Sequence, residues 1–289
     1  MGIQVQPCCC PKVLTLGWGL YGNYHITSFD LATGKFGTPV DTNVRGMQRG
    51  RHPTGLFRRD NGDLYAFENV GYTESEYNSK PGYVIRFDKD TWQGSLLSQI
   101  TPREFAPGFG QVSFGSGGGM LPAGEAYYFN AYDARFIDGY GKYWATSLDA
   151  ATGVHTPLSQ YYLNHADMPD DRRVPSGGCC SPLGYGLVTA GLPIPHQPDQ
   201  LYQINLTTGQ GTLLFEDNFF LAQGTDDNRP MVVDPENNSL IWLFGVSGSH
   251  PTTHHAYGTL DITNGSATLV GEVPYEDSPY GEHIFGWTF

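Results

Sequence analysis

The chain has 289 residues, of which 38 are glycine, 20 are proline and only 16 % are charged. This composition favours many short strands joined by turns over long charged helices. The formal net charge of −13 excludes a nucleic-acid backbone as the expected partner, because phosphate binding needs clustered Lys and Arg. No apolar run approaches the roughly 18–20 residues of a membrane-spanning helix.

Residues 1–11, MGIQVQPCCCP, are predicted to form an N-terminal cysteine-containing segment in front of a single domain over residues 12–289. The segment lacks a basic start followed by an apolar stretch, so no secretory signal is predicted. The location therefore stays open, with the virion and the cytoplasm as the two places considered.

One phrase recurs five times along the chain. In chain order it reads SFDLATGKFGTPV (28–40), RFDKDTWQGSLLS (86–98), SLDAATGVHTPLS (147–159), QINLTTGQGTLLF (203–215) and TLDITNGSATLVG (259–271). Its Asp or Asn recurs at intervals of 58, 61, 56 and 56 residues, and the two chain ends together supply another 58. A linear repeat array has no reason to match its loose ends, whereas a closed ring does.

Each phrase is typical of a strand, a tight turn and a second strand. Apolar and polar residues alternate before the turn, the Asp or Asn accepts backbone N–H groups, and Gly permits a positive φ. In the second phrase Trp92 replaces this Gly, and Gly94 is expected to substitute for it. The phrase resembles the LYxID-xxTG-xxTLL repeats of β-propeller proteins over nearly the whole chain, which implies a fold but no activity.

A hairpin precedes each phrase and completes a unit of four strands. Four hairpins lie at 54–70, 111–131, 176–191 and 229–246, and the fifth is split between 282–289 and 12–19. The predicted fold is all-β: a five-bladed β-propeller with four-stranded blades, closed by pairing of the N-terminal and C-terminal strands in blade 1. A β-sandwich with chance similarity between its hairpins is the alternative.

A polar ligand pocket is predicted at the mouth of the channel of this propeller. The first strand of each blade lines the channel, and the long loops lie where these strands begin, which is where binding sites commonly occur. The predicted mouth residues are Arg51, His52, Gln111, Ser176, Arg229, Glu282 and His283. The alternative is that these side chains bond only to loop carbonyls and water.

The predicted first strands do not favour catalytic chemistry. They read PTGLFRR, QVSFGSG, SGGCCSP, RPMVV and HIFGWTF, without Asp or Glu, whereas glycosidases use a pair of carboxylates. The chain has no G-x-S-x-G nucleophile elbow, and the Gly-rich stretch 108–119 lacks the G-K-[ST] ending of a phosphate loop. No catalytic residue and no cofactor is predicted.

Histidines and cysteines are the residues of this chain that could ligate a metal or form disulfides. His250, His254 and His255 have no Cys or acid nearby, so no metal site is predicted. The cysteines occur in two clumps, one with Cys8, Cys9 and Cys10 and the other with Cys179 and Cys180. Adjacent cysteines bridge each other poorly, so each clump is expected to pair with the other or with another chain. The alternative for the second clump is small buried residues.

The expected function is non-enzymatic binding or scaffolding. The chain is interpreted as a structural or adhesion subunit of a larger assembly, such as a decoration, fibre or neck protein of a phage virion. Its expected partners are other protein subunits, contacted through the N-terminal segment and the loop-rich face, with glycans as a second class. A carbohydrate-binding lectin is the alternative function, and a glycoside hydrolase-like enzyme is a further one.

Overall fold

The computed structural model describes a set of strands and their connecting turns. The described residues are 12–19, 22–46, 53–59, 61–68, 82–100, 112–114, 118–120, 125–129, 131–133, 143–161, 176–178, 183–188, 199–205, 211–217, 231–234, 239–246, 254–280 and 284–288. Apart from one 3₁₀ turn, Tyr275–Asp277, all regular structure in these ranges is β-strand. The prediction of an all-β fold is confirmed.

The strands are short, as the turn-rich composition predicts. In chain order they are β1 (Lys12–Trp18), β2 (Asn23–Asp30), β3 (Lys35–Phe36), β4 (Val40–Arg45), β5 (Pro53–Arg58), β6 (Leu64–Glu68), β7 (Gly82–Phe87), β8 (Gly94–Ile100), β9 (Val112–Phe114), β10 (Gly118–Met120), β11 (Glu125–Phe129), β12 (Ala131–Asp133), β13 (Tyr143–Asp149), β14 (His155–Tyr161), β15 (Ser176–Gly178), β16 (Leu183–Val188), β17 (Asp199–Asn205), β18 (Gly211–Asp217), β19 (Met231–Asp234), β20 (Ser239–Val246), β21 (His254–Asp261), β22 (Ala267–Pro274) and β23 (Ile284–Thr288).

These strands form antiparallel sheets in which neighbours in sequence are neighbours in space. Sheet 1 has the order β23-β1-β2, and β2 also pairs with both β3 and β4. Sheet 2 is β5-β6-β7-β8, sheet 3 is β10-β11-β13-β14, sheet 4 is β15-β16-β17-β18 and sheet 5 is β19-β20-β21-β22. Each sheet contains one copy of the repeated phrase. In sheets 2 to 5 it lies on the last two strands, and in sheet 1 it lies on β2, β3 and the start of β4.

The two ends of the described chain meet in sheet 1. Strand β23 pairs antiparallel with β1, with Leu14 opposite Thr288 and Gly17 opposite Ile284. The pairing shifts register between Leu16 and Gly17. The first strand of this sheet therefore comes from the C-terminal part of the chain.

Sheet 3 begins later in the chain than the sequence indicates. The predicted first strand, QVSFGSG (111–117), contains β9, which pairs with β12 in a separate two-stranded ribbon. The first strand of sheet 3 is β10, paired with β11. Residues Val112–Phe114 alternate between apolar and polar side chains as a strand does, so the local pattern alone does not show whether β9 or β10 begins the sheet.

The apolar core lies between sheets. One cluster joins sheets 5 and 1 through Val13, Phe29, Leu31, Tyr257, Val273, Tyr280 and Ile284. A second joins sheets 1 and 2 through Leu16, Trp18, Tyr24, Ile26, Val44, Leu56, Leu64, Ala66, Ile85 and Phe87. A third joins sheets 2 and 3 through Phe57, Tyr65, Phe67, Val84, Ile100 and Ala150.

Strand β6 shows how a sheet is buried on both faces. All five residues of its sequence, LYAFE, are buried. Because successive side chains point to opposite faces, Leu64 and Ala66 pack towards sheet 1, whereas Tyr65 and Phe67 pack towards sheet 3. This arrangement explains why β6 is apolar at consecutive positions and does not alternate with polar residues.

The turn between the last two strands is nearly identical in four sheets. We call these the outer turns; they span residues 30–34, 88–92, 149–153 and 261–265. In each, the backbone N–H of the last residue donates to the carbonyl oxygen of the first, at 2.8 Å. The Asp carboxylate accepts backbone N–H groups two or three residues later at 2.8 to 3.3 Å.

Trp92 takes the glycine position of its outer turn directly. Its φ is 57°, close to the 66° to 76° of Gly34, Gly153 and Gly265 at the same position. The expectation that Gly94 substitutes for the missing glycine is therefore wrong. A non-glycine residue in this region is strained, and the Trp92 side chain packs against the core between sheets 1 and 2, which compensates for the strain.

The turn carboxylates make stability depend on acid pH. The pKa of Asp30, Asp88, Asp149 and Asp261 is lowered in the folded chain. The largest cause is a backbone N–H for the first three, and the Thr263 hydroxyl for Asp261. An Asp with a lowered folded pKa stabilises the fold above its unfolded pKa, and this contribution is lost as pH falls through the folded value.

We therefore expect the urea midpoint of unfolding to hold from pH 7 to pH 5 and to fall below about pH 4. The Asp261→Asn variant should lose less stability over the acid range, because its side chain does not titrate. Urea titrations followed by circular dichroism at pH 7, 5, 4 and 3 measure this. A parent and a variant with parallel midpoints at every pH would show that the Asp261 carboxylate does not contribute.

Candidate functional site

The predicted mouth residues flank the first strands of four sheets. Ser176 is the first residue of β15, but its side chain is not described. Arg51, His52, Gln111, Arg229, Glu282 and His283 lie outside the described residues. In the chain, His52 directly precedes β5, His283 directly precedes β23, and Arg229 lies two residues before β19. Gln111 precedes β9, which is not the first strand of a sheet.

The first strands of the five sheets contact one another in succession. Cα atoms of β23 lie within 8 Å of β5, those of β5 near β10, those of β10 near β15, and those of β15 near β19. Strand β19 in turn lies near β23. The four strands that the predicted mouth residues flank therefore lie side by side in the order β15, β19, β23 and β5.

The described first strands are poor in carboxylates. Their sequences are IFGWT, PTGLFR, GGM, SGG and MVVD. Asp234 is the one acidic residue in these strands, and it is the last residue of β19. A glycosidase needs two carboxyl groups on either side of the scissile bond, and the described parts of the first strands do not supply such a pair.

Glu68 is a buried carboxylate that the sequence reading missed. It is the last residue of β6, fully buried, and its register partner is Pro53, directly after His52. Tyr24 Oη of sheet 1 donates to Glu68 Oε1 at 2.9 Å, and Tyr83 N donates to Oε2 at 3.0 Å. The signal was available, since LYAFE places an acid at the end of a fully apolar strand.

The Glu68 carboxylate connects sheets 1 and 2 beside the predicted mouth. A buried charge is costly unless hydrogen bonds compensate it, and each of its oxygens accepts one of these bonds. The Tyr24 ring in turn lies so close to Gly46 that any Cβ there would overlap the ring. We interpret Glu68 as a residue that holds the two sheets together where the segment 47–52 connects them.

A second polar group lies at the outer edge of sheet 1. Asp41 accepts a hydrogen bond from Asn23 Nδ2 at 2.7 Å, and its Oδ2 lies 3.8 Å from His25 Nε2. Burial raises the pKa of Asp41, but the bonds from Asn23 and from the Asn43 N–H outweigh burial and leave this pKa lowered. Gln93 of sheet 2 donates to the Asp41 carbonyl oxygen at 3.0 Å and accepts from Asn43. These groups bond to one another across the sheet junction, although the buried Asn23 Oδ1 has no hydrogen-bond partner among the described residues.

The described ranges contain neither a metal-binding cluster nor a membrane-spanning helix. No group of three or more His, Cys, Asp or Glu side chains there is placed to hold a metal ion. No helix in the same ranges is long and apolar enough to cross a membrane. His250 lies outside the described residues, and the side chains of His254 and His255 are not described. All five cysteines, Cys8, Cys9, Cys10, Cys179 and Cys180, lie outside the described residues, so their pairing stays a prediction.

The chain was compared with known families, curated proteins and solved structures. No family model matches it, and no curated protein matches it. An exo-β-1,3-galactanase from Clostridium thermocellum is 10 % identical with a TM-score of 0.52, and the match covers 91 % of this chain and 59 % of that one. A family 117 glycoside hydrolase from the marine bacterium Zobellia galactanivorans is 10 % identical with a TM-score of 0.51, over 78 % of this chain and 70 % of that one.

Proposed function

We propose that this chain, which has a β-propeller fold, is a five-bladed ring that binds a saccharide at its channel mouth without hydrolysing it. The ring is supported by the closed order of the first strands and by the pairing of β1 with β23. It is also supported by cores that lie between successive sheets. The near-equal spacing of the repeated phrase agrees with one sheet per blade.

Saccharide binding is supported by the two solved structures, both described as carbohydrate-processing enzymes. We propose binding without hydrolysis because the described first strands lack a pair of carboxylates. The mouth residues Arg51, His52, Arg229, Glu282 and His283 would offer donors and acceptors to hydroxyl groups. Polar side chains gathered at the end of a channel are typical of a binding site for a polar ligand.

A glycan array measures this directly, with neutral and uronic-acid oligosaccharides printed as probes. We expect the parent to bind at least one class, and Arg229→Ala to bind it about tenfold more weakly. Lys89→Ala is the matched control, because Lys89 is an exposed cation in the outer turn of sheet 2. This variant should bind as the parent does. The same oligosaccharides are then assayed for release of reducing ends, where we expect none.

The other outcomes distinguish the alternatives. Reducing ends that disappear in Glu282→Gln would favour a glycoside hydrolase. An array without binding would contradict the proposal, and a defined multimer by light scattering would then favour a subunit of a larger assembly. The virion role stays a prediction, and the two solved structures reported above do not support it.

A further inference from the structure

The outer turns share a second property besides their shape: each contacts a sheet other than its own. In sheet 3, the turn residue Ala150 is 3 % exposed and belongs to the core cluster of sheet 2. Ser98 Oγ of β8 donates to the Ala150 carbonyl oxygen at 2.7 Å. A Cβ at Gly153 would overlap the backbone carbonyl of Gln99, also in β8. The turn of sheet 3 is therefore seated on the last strand of sheet 2.

The outer turn of sheet 5 makes the same kind of contact with sheet 4. A Cβ at Gly265 would lie 2.9 Å from Cγ of Phe215, which belongs to β18, the last strand of sheet 4. This distance is shorter than real Cβ contacts, so only glycine fits without a shift of the ring. The glycine is thus required by close approach as well as by its φ of 76°.

The outer turn of sheet 1 lies on sheet 5 across the meeting point of the chain ends. A Cβ at Gly34 would lie 3.0 Å from Tyr257 Oη and 3.7 Å from Val273. Next to the turn, Phe29 meets Tyr257 edge to face, with ring centroids 5.0 Å apart. Such aromatic pairs stabilise beyond the area they bury.

The outer turn of sheet 2 lies on sheet 1. Gln93 bonds to Asp41 and Asn43 of β4, as described above, and a Cβ at the neighbouring Gly94 would overlap Val44 of the same strand. Trp92 adds its side chain to the cluster that contains Val44. The contact is therefore present although this turn lacks the usual glycine.

We propose that the outer turns fasten the sheets to one another, each onto the last or next-to-last strand of the sheet before it and always in the same direction around the ring. The turns of sheets 2, 3 and 5 each contact the sheet that precedes them in sequence. The turn of sheet 1 contacts sheet 5, which continues the same order across the chain ends. The corresponding turn of sheet 4 lies outside the described residues. The repeated Asp and Gly then specify both the hairpin and the position of each sheet on its neighbour.

The test compares two glycines with similar backbone angles and different surroundings. Gly153 (φ 73°) abuts the backbone of another sheet, whereas the three atoms nearest to a Cβ at Gly62 (φ 88°) all belong to the flexible Lys89 side chain of its own sheet. Ala at either position incurs the cost of a positive φ, about tenfold in the folding equilibrium. We expect Gly153→Ala to lose a further tenfold or more, because overpacking against a backbone is not relieved by a side-chain rotation.

Hydrogen exchange shows which strand each substitution destabilises. Gly153→Ala should speed amide exchange in β8, 53 residues away in sequence, whereas Gly62→Ala should leave β8 protected. Equal losses of stability in the two variants, with β8 exchange unchanged in both, would overturn the proposal.

A pair of milder substitutions tests the same proposal if Gly153→Ala does not fold. Ser98→Ala removes the bond to Ala150, whereas Ser95→Ala removes a 3.5 Å bond to Arg86 within sheet 2. We expect Ser98→Ala to reduce the folding equilibrium by about fivefold and to speed exchange in residues 149–154, unlike Ser95→Ala. Identical exchange in these residues for both serine variants would contradict the proposal.

Discussion

Deletion of residues 282–289 is expected to unfold the protein in one cooperative step. The deletion removes β23, which pairs with β1 from Leu14 to Gly17 and has Ile284 buried in the core between sheets 5 and 1. It also removes the strand that lies next to both β5 and β19. Because a domain is stable by only about 5–15 kcal/mol, loss of a strand that contacts three others should exceed the available stability.

The measurement is thermal unfolding by circular dichroism together with size-exclusion chromatography. The truncated chain should be expanded and should lack a sharp transition. A chain that lacks residues 1–11 is the matched control, since β1 begins at Lys12 and all described strands remain; it should unfold near the parent temperature. If the C-terminal deletion stays compact and melts as the parent does, β23 does not hold the structure together.

Tyr280→Ala is expected to lower the free energy of unfolding by about 3–5 kcal/mol, as for other large buried aromatic residues. Tyr280 is 4 % exposed and lies between β22 and β23, in the connection from sheet 5 to sheet 1. Its ring meets Phe36 edge to face at 6.0 Å. Its hydroxyl donates to the Thr15 carbonyl oxygen at 3.2 Å and accepts from Thr15 Oγ1 at 3.4 Å.

Two variants separate the ring from the hydroxyl. Tyr280→Phe keeps the packing and should lose only about 1 kcal/mol, and Glu276→Ala, at an exposed position of the same connection, should change stability by less than about 0.5 kcal/mol. Chemical denaturation at pH 7 gives all three values. Equal losses for Ala and Phe at position 280 would mean that the hydroxyl, and not the ring, fastens the two sheets.

The same hydroxyl makes stability depend on alkaline pH. Burial raises the pKa of Tyr280 well above its usual value, so the folded chain keeps this phenol neutral. The unfolded chain ionises near pH 10, so the contribution of Tyr280 should be full at neutral pH and fall above about pH 10.

The first strands around the candidate site show what local sequence patterns can predict and what they cannot. Alternation and turn residues placed β5, β15, β19 and β23, because these patterns depend only on neighbouring residues. They did not distinguish β9 from β10, since both stretches can form strands and only pairing with β11 selects β10. The LYAFE pattern does mark Glu68 as an acid at the end of an apolar strand, but its partner Tyr24 is 44 residues away, and no local pattern reports that pairing.

The sequence by itself determined that the chain is built from repeated hairpins, because the Asp of each described outer turn bonds within its own turn and the alternation before the turn involves only neighbouring residues. Tertiary structure alone decided how the sheets sit on one another. Gly153 against the Gln99 carbonyl, Gly265 against Phe215 and the left-handed Trp92 beside Val44 all depend on residues of another sheet. These contacts arise from close packing between surfaces distant in sequence, which the spacing of residues along one strand does not encode.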